Sequence, residues 1–239
     1  MNRVILASSS PSRLMVLRGG GIEPEVIKPD VDEDAILAQC ADASTVHTVA
    51  ESFESAKSAV CALAEAKAAA VVSGLAACTQ ETVVIACDSM LLLDGHLTGK
   101  PHTESETIRR WEAQRGRAAE LVTGHCIVRL SPEGGSTGAQ SGAPSLASGQ
   151  KTAVGITAQH TEAVSTTVRF GQACDADIAA YARTGEPFGC AGAFTLEALG
   201  GWFIDSIDGD PSSVLGLSLP LIRRVVNMWD MPISSFWNR

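Results

Sequence analysis

Near its start the chain reads Val4-Ile5-Leu6-Ala7-Ser8-Ser9-Ser10-Pro11-Ser12-Arg13-Leu14. This join restricts the possible folds more than any other stretch. Four apolar residues in a row fit a short buried strand. Ser10 is a natural helix N-cap, Pro11 suits the first helical position, and Gly19-Gly20-Gly21 ends the helix. A strand thus runs directly into a helix N-terminus carrying hydroxyls, with Arg13 in its first turn. Free N–H groups, the positive end of the helix dipole and a guanidinium would meet there, which suits a phosphate. An ordinary Ser-Pro cap is the plainer reading of the same residues.

A second buried strand is read at Thr82-Val83-Val84-Ile85-Ala86-Cys87, a nearly continuous apolar run that ends in Asp88-Ser89. In open α/β sheets a carboxylate at the carboxyl end of a central strand sits where ligands bind. Next, Met90 to Leu93, Asp94-Gly95 and His96-Leu97 predict a hairpin with an Asp-Gly turn, which delivers Gly99-Lys100-Pro101. Thr103 and Glu106 form a capping box for a helix running to about Arg117.

Between these two strands lies an extended segment over 22–31, interrupted by Pro24 and Pro29. The acidic cluster Asp30-Val31-Asp32-Glu33-Asp34 follows, a solvated loop or a seat for a divalent ion. An alanine-rich helix is expected over 44–70, with Val46, Val49, Phe53, Ala56, Val60, Leu63 and Ala64 on its apolar face. Glu54 and Lys57 then sit one turn apart on the exposed side, spaced for an ion pair.

Residues 121–130 and 152–170 alternate as paired antiparallel strands. Between them, 131–150 is a Gly/Ser-rich insertion expected to be flexible and dispensable for chemistry. Further on, a short helix is expected over 175–183. A strand pair follows from Ala191-Gly192-Ala193-Phe194 and 202–207, and a closing helix from Val214 to Trp229. His96, His102 and His125 read as surface or turn residues.

Composition narrows the function. A 239-residue chain with 45% apolar and 19% charged residues can bury a large core. Its net charge of −9 argues against a nucleic-acid polymer as partner. No stretch is long or apolar enough for a signal peptide or membrane span, so a cytoplasmic protein is expected. The seven cysteines lack C-x-x-C spacing and read as small core residues.

Taken in order, several short motifs assemble. They are Ser8-x-Ser10-Pro11-x-Arg13, Asp32-Glu33, Ala56-Lys57, Asp88-Ser89 with Gly99-Lys100-Pro101, Gly185-Glu186-Pro187, Ala191-Gly192-Ala193-Phe194, and Gly209-Asp210-Pro211-x-x-Val214-x-Gly216-Leu217-x-Leu219-Pro220. Together they closely resemble the Maf-like nucleoside triphosphate pyrophosphatases, also called septum-formation inhibitor proteins. The likeness covers nearly the whole chain, with 131–150 as the main excess.

The resemblance implies a mixed α/β fold, elongated and two-lobed like the inosine triphosphate pyrophosphatases, with a central mixed sheet and a nucleotide cleft. Residues 1–239 would form one such domain. The implied reaction converts a nucleoside triphosphate to its monophosphate and diphosphate, clearing modified or surplus nucleotides. It implies a divalent cation (Mg²⁺, Mn²⁺ or Co²⁺) held by Asp88 and Glu33, and suggests a homodimer. By resemblance Asp88 is the proton acceptor and Glu33 a supporting carboxylate. Arg13, Lys57 and Lys100 would neutralise phosphate oxygens, and Ser8 and Ser10 would donate hydrogen bonds.

Departures from the family pattern fall at the cleft. Many relatives carry arginine at the position of Ser12, threonine at Ser89, and an Asp-Lys pair at Gly189-Cys190. Ser12, Ser89 and Glu197 mark positions where subfamilies differ in base choice. Pyrimidine-preferring relatives resemble one another in having glutamine at the position of Glu197. A glutamate only accepts hydrogen bonds, which suits guanine's adjacent donors. The different class of function to weigh is a non-catalytic nucleotide-binding regulator of division.

Overall fold

Strand β1 (Arg3–Ala7) buries both its faces, and this places it inside a layered sheet. Val4 and Leu6 face one layer while Ile5 and Ala7 face the other. The computed structural model describes residues 2–42, 49–76, 78–132 and 155–238. The expected insertion at 131–150 lies almost wholly outside them, as does the start of the helix predicted from residue 44.

Among the described residues the sheet has seven strands, in the order β2–β1–β3–β5–β6–β7 with β4 paired to β3. These are β2 (Glu25–Val26), β3 (Thr82–Leu93), β4 (His96–Thr98), β5 (Ala118–Ser131), β6 (Gly155–Phe170) and β7 (Ile204–Asp208). β1 pairs in parallel with β2 and β3, and every other pairing is antiparallel. The fold is therefore mixed α/β. The β3–β4 hairpin turns at Asp94 and Gly95, both at positive φ (52° and 78°), as an Asp-Gly turn requires.

One face of the sheet is covered by α1 (Pro11–Gly19) and α7 (Leu219–Met228), which bury Val16, Leu17, Leu221, Ile222, Val225 and Val226 against Leu6, Ile85 and Ile127. The long helix α3 (Val49–Gly74) covers the other, setting Ala64, Ala68 and Val71 on Val84, Ala86 and Cys126. Its earlier turns place Ala56, Val60 and Leu63 on Met90, Leu92 and Val122. Gly124, opposite Asp88 in the β3–β5 register, lies close against α3. A Cβ there would stand 2.3 Å from the Val60 carbonyl oxygen, so only glycine lets the helix lie this near. A further core surrounds Trp111 of α4 (Glu104–Gln114), which meets Phe170, Tyr181 and Phe203 edge-on.

Three expectations are corrected. The predicted pairing of 191–194 with 202–207 does not form. Gly192 and Ala193 sit at φ 71° and 58°, which turns the chain, and their carbonyls accept from Gln114 Nε2 and Trp111 Nε1 instead. β7 pairs with β6. The expected closing helix is two helices, α6 (Pro211–Val214) and α7, because Gly216 at φ 96° breaks the run and Ser218 caps anew. His125 is not on the surface: it is fully buried in β5, and its Nε2 accepts from the Ser218 N–H at 2.8 Å.

Candidate active site

The strand expected to end at Cys87 runs on to Leu93, so Asp88 and Ser89 lie mid-strand, and alternation along β3 decides what each can reach. Asp88 has the parity of Val84 and Ala86 and so faces α3; Ser89 has the parity of Ile85 and Cys87 and faces α1. Both open onto a cleft of about 750 Å³. Its lining includes Ser8, Ser10, Ser12, Arg13, Glu33, Asp88, Ser89, Lys100 and Glu197, so the fold gathers nine of the ten predicted site residues.

Lys57 is the exception. It lies near the start of α3, half-buried, 2.9 Å from Glu54 and over the Phe53 ring. Lys67 stands in the cleft in its place. Its Nζ is 2.5 Å from Asp88 Oδ1 and 2.7 Å from Glu33 Oε1, with Lys67 5% and Asp88 7% exposed. Lys67 follows Val60 by seven residues and Leu63 by four, on the stripe facing the sheet, whereas Lys57 lies ten residues earlier, about 15 Å away along the axis. A lysine inside an apolar stripe, with an aspartate in the strand it packs on, was the available signal.

Glu33 begins α2 (Glu33–Asp42), so the acidic cluster runs from a loop over 30–32 into a helix start; Asp32 Oδ1 accepts from the Ala35 N–H at 3.0 Å. Burial pushes the Glu33 carboxyl upward, but Lys67, with smaller help from Lys100 and Arg13, brings it below the ordinary glutamate value. Glu33 is therefore ionised at neutral pH.

At the β1–α1 join Ser10 caps the helix as predicted, accepting from the Arg13 N–H. Arg13 itself is anchored. Its Nη1 donates to the Cys87 carbonyl at 2.8 Å and to Ser8 Oγ at 3.3 Å, its Nε to the Gly216 carbonyl at 2.8 Å, and its Nη2 to Ser89 Oγ at 3.2 Å. One guanidinium thus ties the end of β1 and the middle of β3 to the Gly216 turn. Ser8 Oγ accepts here and from the Ser10 N–H, leaving its own proton to donate.

Lys100 is presented by a gripped segment, since Arg110 Nη1 donates to the Gly99 carbonyl at 2.5 Å. Lys28 and His102 also line the cleft. Beyond Lys100 the lining turns acidic, with Glu186 and Glu197 beside Thr195 and Cys190. One Glu197 oxygen accepts from the Leu196 N–H at 3.0 Å. Burial, then Glu197 and Glu186, push the Cys190 thiol to about 11, so it is neutral.

The family of Maf-like proteins matches residues 3–229. The chain belongs to the Maf-like family. A nucleoside triphosphate pyrophosphatase of Corynebacterium diphtheriae is 51% identical over 98% of both chains. Proteins of the same name from Mycobacterium sp. (strain JLS) and Nocardia farcinica are 47% and 43% identical, over 99% of both chains for the first and 98% and 96% for the second. Among the described residues of this Maf-like chain, no helix is long and apolar enough to cross a membrane.

Proposed function

We propose that this Maf-like protein hydrolyses nucleoside triphosphates to the monophosphate and diphosphate. The observation that carries the reading is the Glu33–Lys67–Asp88 cluster, at the wall of a cleft whose other residues include Ser8, Arg13 and Lys100. Its volume falls in the range of small-ligand sites. The similarly named relatives support the same reaction.

Charge sorts the substrate within the cleft. Phosphates belong near Arg13, Lys67 and Lys100, and the base belongs at the acidic end near Thr195 and Glu197. Asp88 is the proton acceptor for water attacking the α-phosphorus. Lys67 favours the ionised form of Glu33 and orients both carboxylates. Ser8 donates to a phosphate oxygen, and Lys100 offsets charge on the departing diphosphate.

Among the described residues no group of three or more His, Cys, Asp or Glu could hold a metal by itself. Two carboxylates completed by substrate phosphates do suit Mg²⁺ or Mn²⁺, which take few protein ligands in such sites. Asp88 and Glu33 would hold that ion. It would polarise the phosphoryl oxygens and lower the pKa of water.

The test is to incubate purified protein with a nucleotide panel plus Mg²⁺, Mn²⁺, Co²⁺ or EDTA, and identify the products. Monophosphate and diphosphate, lost with EDTA, are expected. Orthophosphate with a nucleoside diphosphate would refute the reaction. Tight binding without turnover would favour a nucleotide-binding regulator.

A further inference from the structure

Gly185-Glu186-Pro187 has no task in the reaction above, yet Glu186 is wrapped by the segment that lines the base end of the cleft. It opens a short 3₁₀ turn (Glu186–Gly189) after Gly185 at φ 73°. Its Oε1 accepts from the Tyr181 hydroxyl at 3.1 Å, from Thr195 Oγ1 at 2.5 Å and from the Gly200 N–H at 3.0 Å. Its Oε2 accepts from the Leu199 N–H at 3.2 Å. The packing has no slack, since a Cβ on Gly200 would stand 2.5 Å from the Thr195 carbonyl oxygen and 2.6 Å from the Tyr181 hydroxyl.

The direction of one of these bonds matters for the cleft. An ionised carboxylate only accepts, and a threonine hydroxyl has one proton. Burial raises the Glu186 pKa, but bonds from Thr195, Gly200, Leu199 and Tyr181 bring it below the usual value. The 2.5 Å contact fits an O–H···O⁻ bond, so it consumes the Thr195 proton. Thr195 Oγ1 then has only lone pairs left to offer the cleft that it lines. Glu197 nearby has only acceptor oxygens as well.

We infer that Glu186 is a positioning residue for base choice: by holding Thr195 as an obligate acceptor, it makes the base end select edges with adjacent donors. Guanine and its modified forms present N1–H beside an exocyclic amino group. Uracil and thymine present one N3–H between two carbonyl oxygens, and those oxygens would face lone pairs. The inference rests on the cleft being a nucleotide site.

The experiment compares wild type, Glu186→Gln and Thr195→Val. It measures kcat and KM for dGTP and dUTP with Mg²⁺, and the affinity for GMP and UMP by calorimetry. The amide introduced by Glu186→Gln could donate to Thr195 Oγ1 and let the threonine proton turn toward the cleft. The dGTP:dUTP ratio of kcat/KM is expected to fall about tenfold, chiefly through KM for dGTP. Thr195→Val removes the acceptor and should lower the ratio similarly, which decides the matter if Glu186→Gln does not fold. A wild type that prefers dUTP overturns the inference. So does a ratio that stays within about twofold while both substrates lose activity together, since that is a structural role alone. If wild type turns over neither substrate, the pyrophosphatase reading fails, and the GMP:UMP affinity ratios still decide the role of Glu186.

Discussion

Lys67 Nζ stands 2.5 Å from Asp88 Oδ1, and the same ammonium meets Glu33 Oε1 at 2.7 Å. Removing it leaves the buried Asp88 carboxylate without its cation, beside a half-buried Glu33. Lys67→Met is expected to lower hydrolysis by about 10²-fold or more and stability by about 3 kcal/mol. Lys57→Met should stay within about twofold of wild type, because Lys57 pairs with Glu54 and Phe53 and does not line the cleft. Steady-state kinetics and urea unfolding check both. Equal losses in the two variants would contradict the placement.

Asp88→Asn keeps the shape of the side chain but not its basicity. Turnover should fall by about 10²-fold or more, the scale of losing a general base. Nucleotide binding, followed by calorimetry, should survive. Turnover near wild type would remove Asp88 from the proton transfer.

Glu197→Gln exchanges an acceptor for a group that also donates. The ratio of kcat/KM for GTP to that for UTP should move toward UTP by about 1 to 2 kcal/mol. An unchanged ratio would mean that Glu197 does not read the base.

His125 gives the protein a pH dependence of its own. Burial, then the Arg13 charge, holds its pKa down at about 4, against the pull of the Thr123 and Glu162 backbone and of Asp210. The folded chain keeps it neutral while the unfolded chain protonates it below about 6.5. Its contribution to stability is thus complete above about pH 6.5 and is lost as pH falls toward 4, about 3 kcal/mol in all. Urea titrations from pH 7 to 5 should show that slope, and His125→Gln, which still accepts from Ser218, should flatten it.

Local patterns are legible because their causes are local. The Ser10 cap, Pro11 and the Asp94-Gly95 turn each specify a backbone conformation within a few residues. Asp88 is marked as the first charge after an apolar run, although the strand itself continues to Leu93. Lys67 escapes such a reading because a charge in an alanine-rich helix suggests solvent, although its phase with Val60 and Leu63 puts it inside. Neither the φ of Ala193 nor the tertiary acceptor role of His125 is written in short-range spacing, since Trp111 and Ser218 supply those partners from 82 and 93 residues away.

Gly124→Ala should cost more than about 3 kcal/mol, read by urea unfolding, because the new methyl would meet the backbone oxygen of Val60 and not a yielding side chain. A stable, fully active variant would show that α3 can retreat without moving Lys67. Gly124 has no functional group to offer a substrate. Yet it sets how far the lysine-bearing helix stands from the aspartate-bearing strand. In a library of all single substitutions, this position would tolerate as little as Asp88 itself. Intolerance to replacement would then mark a spacing in the molecule, and such a map would draw the active site wider than its chemistry.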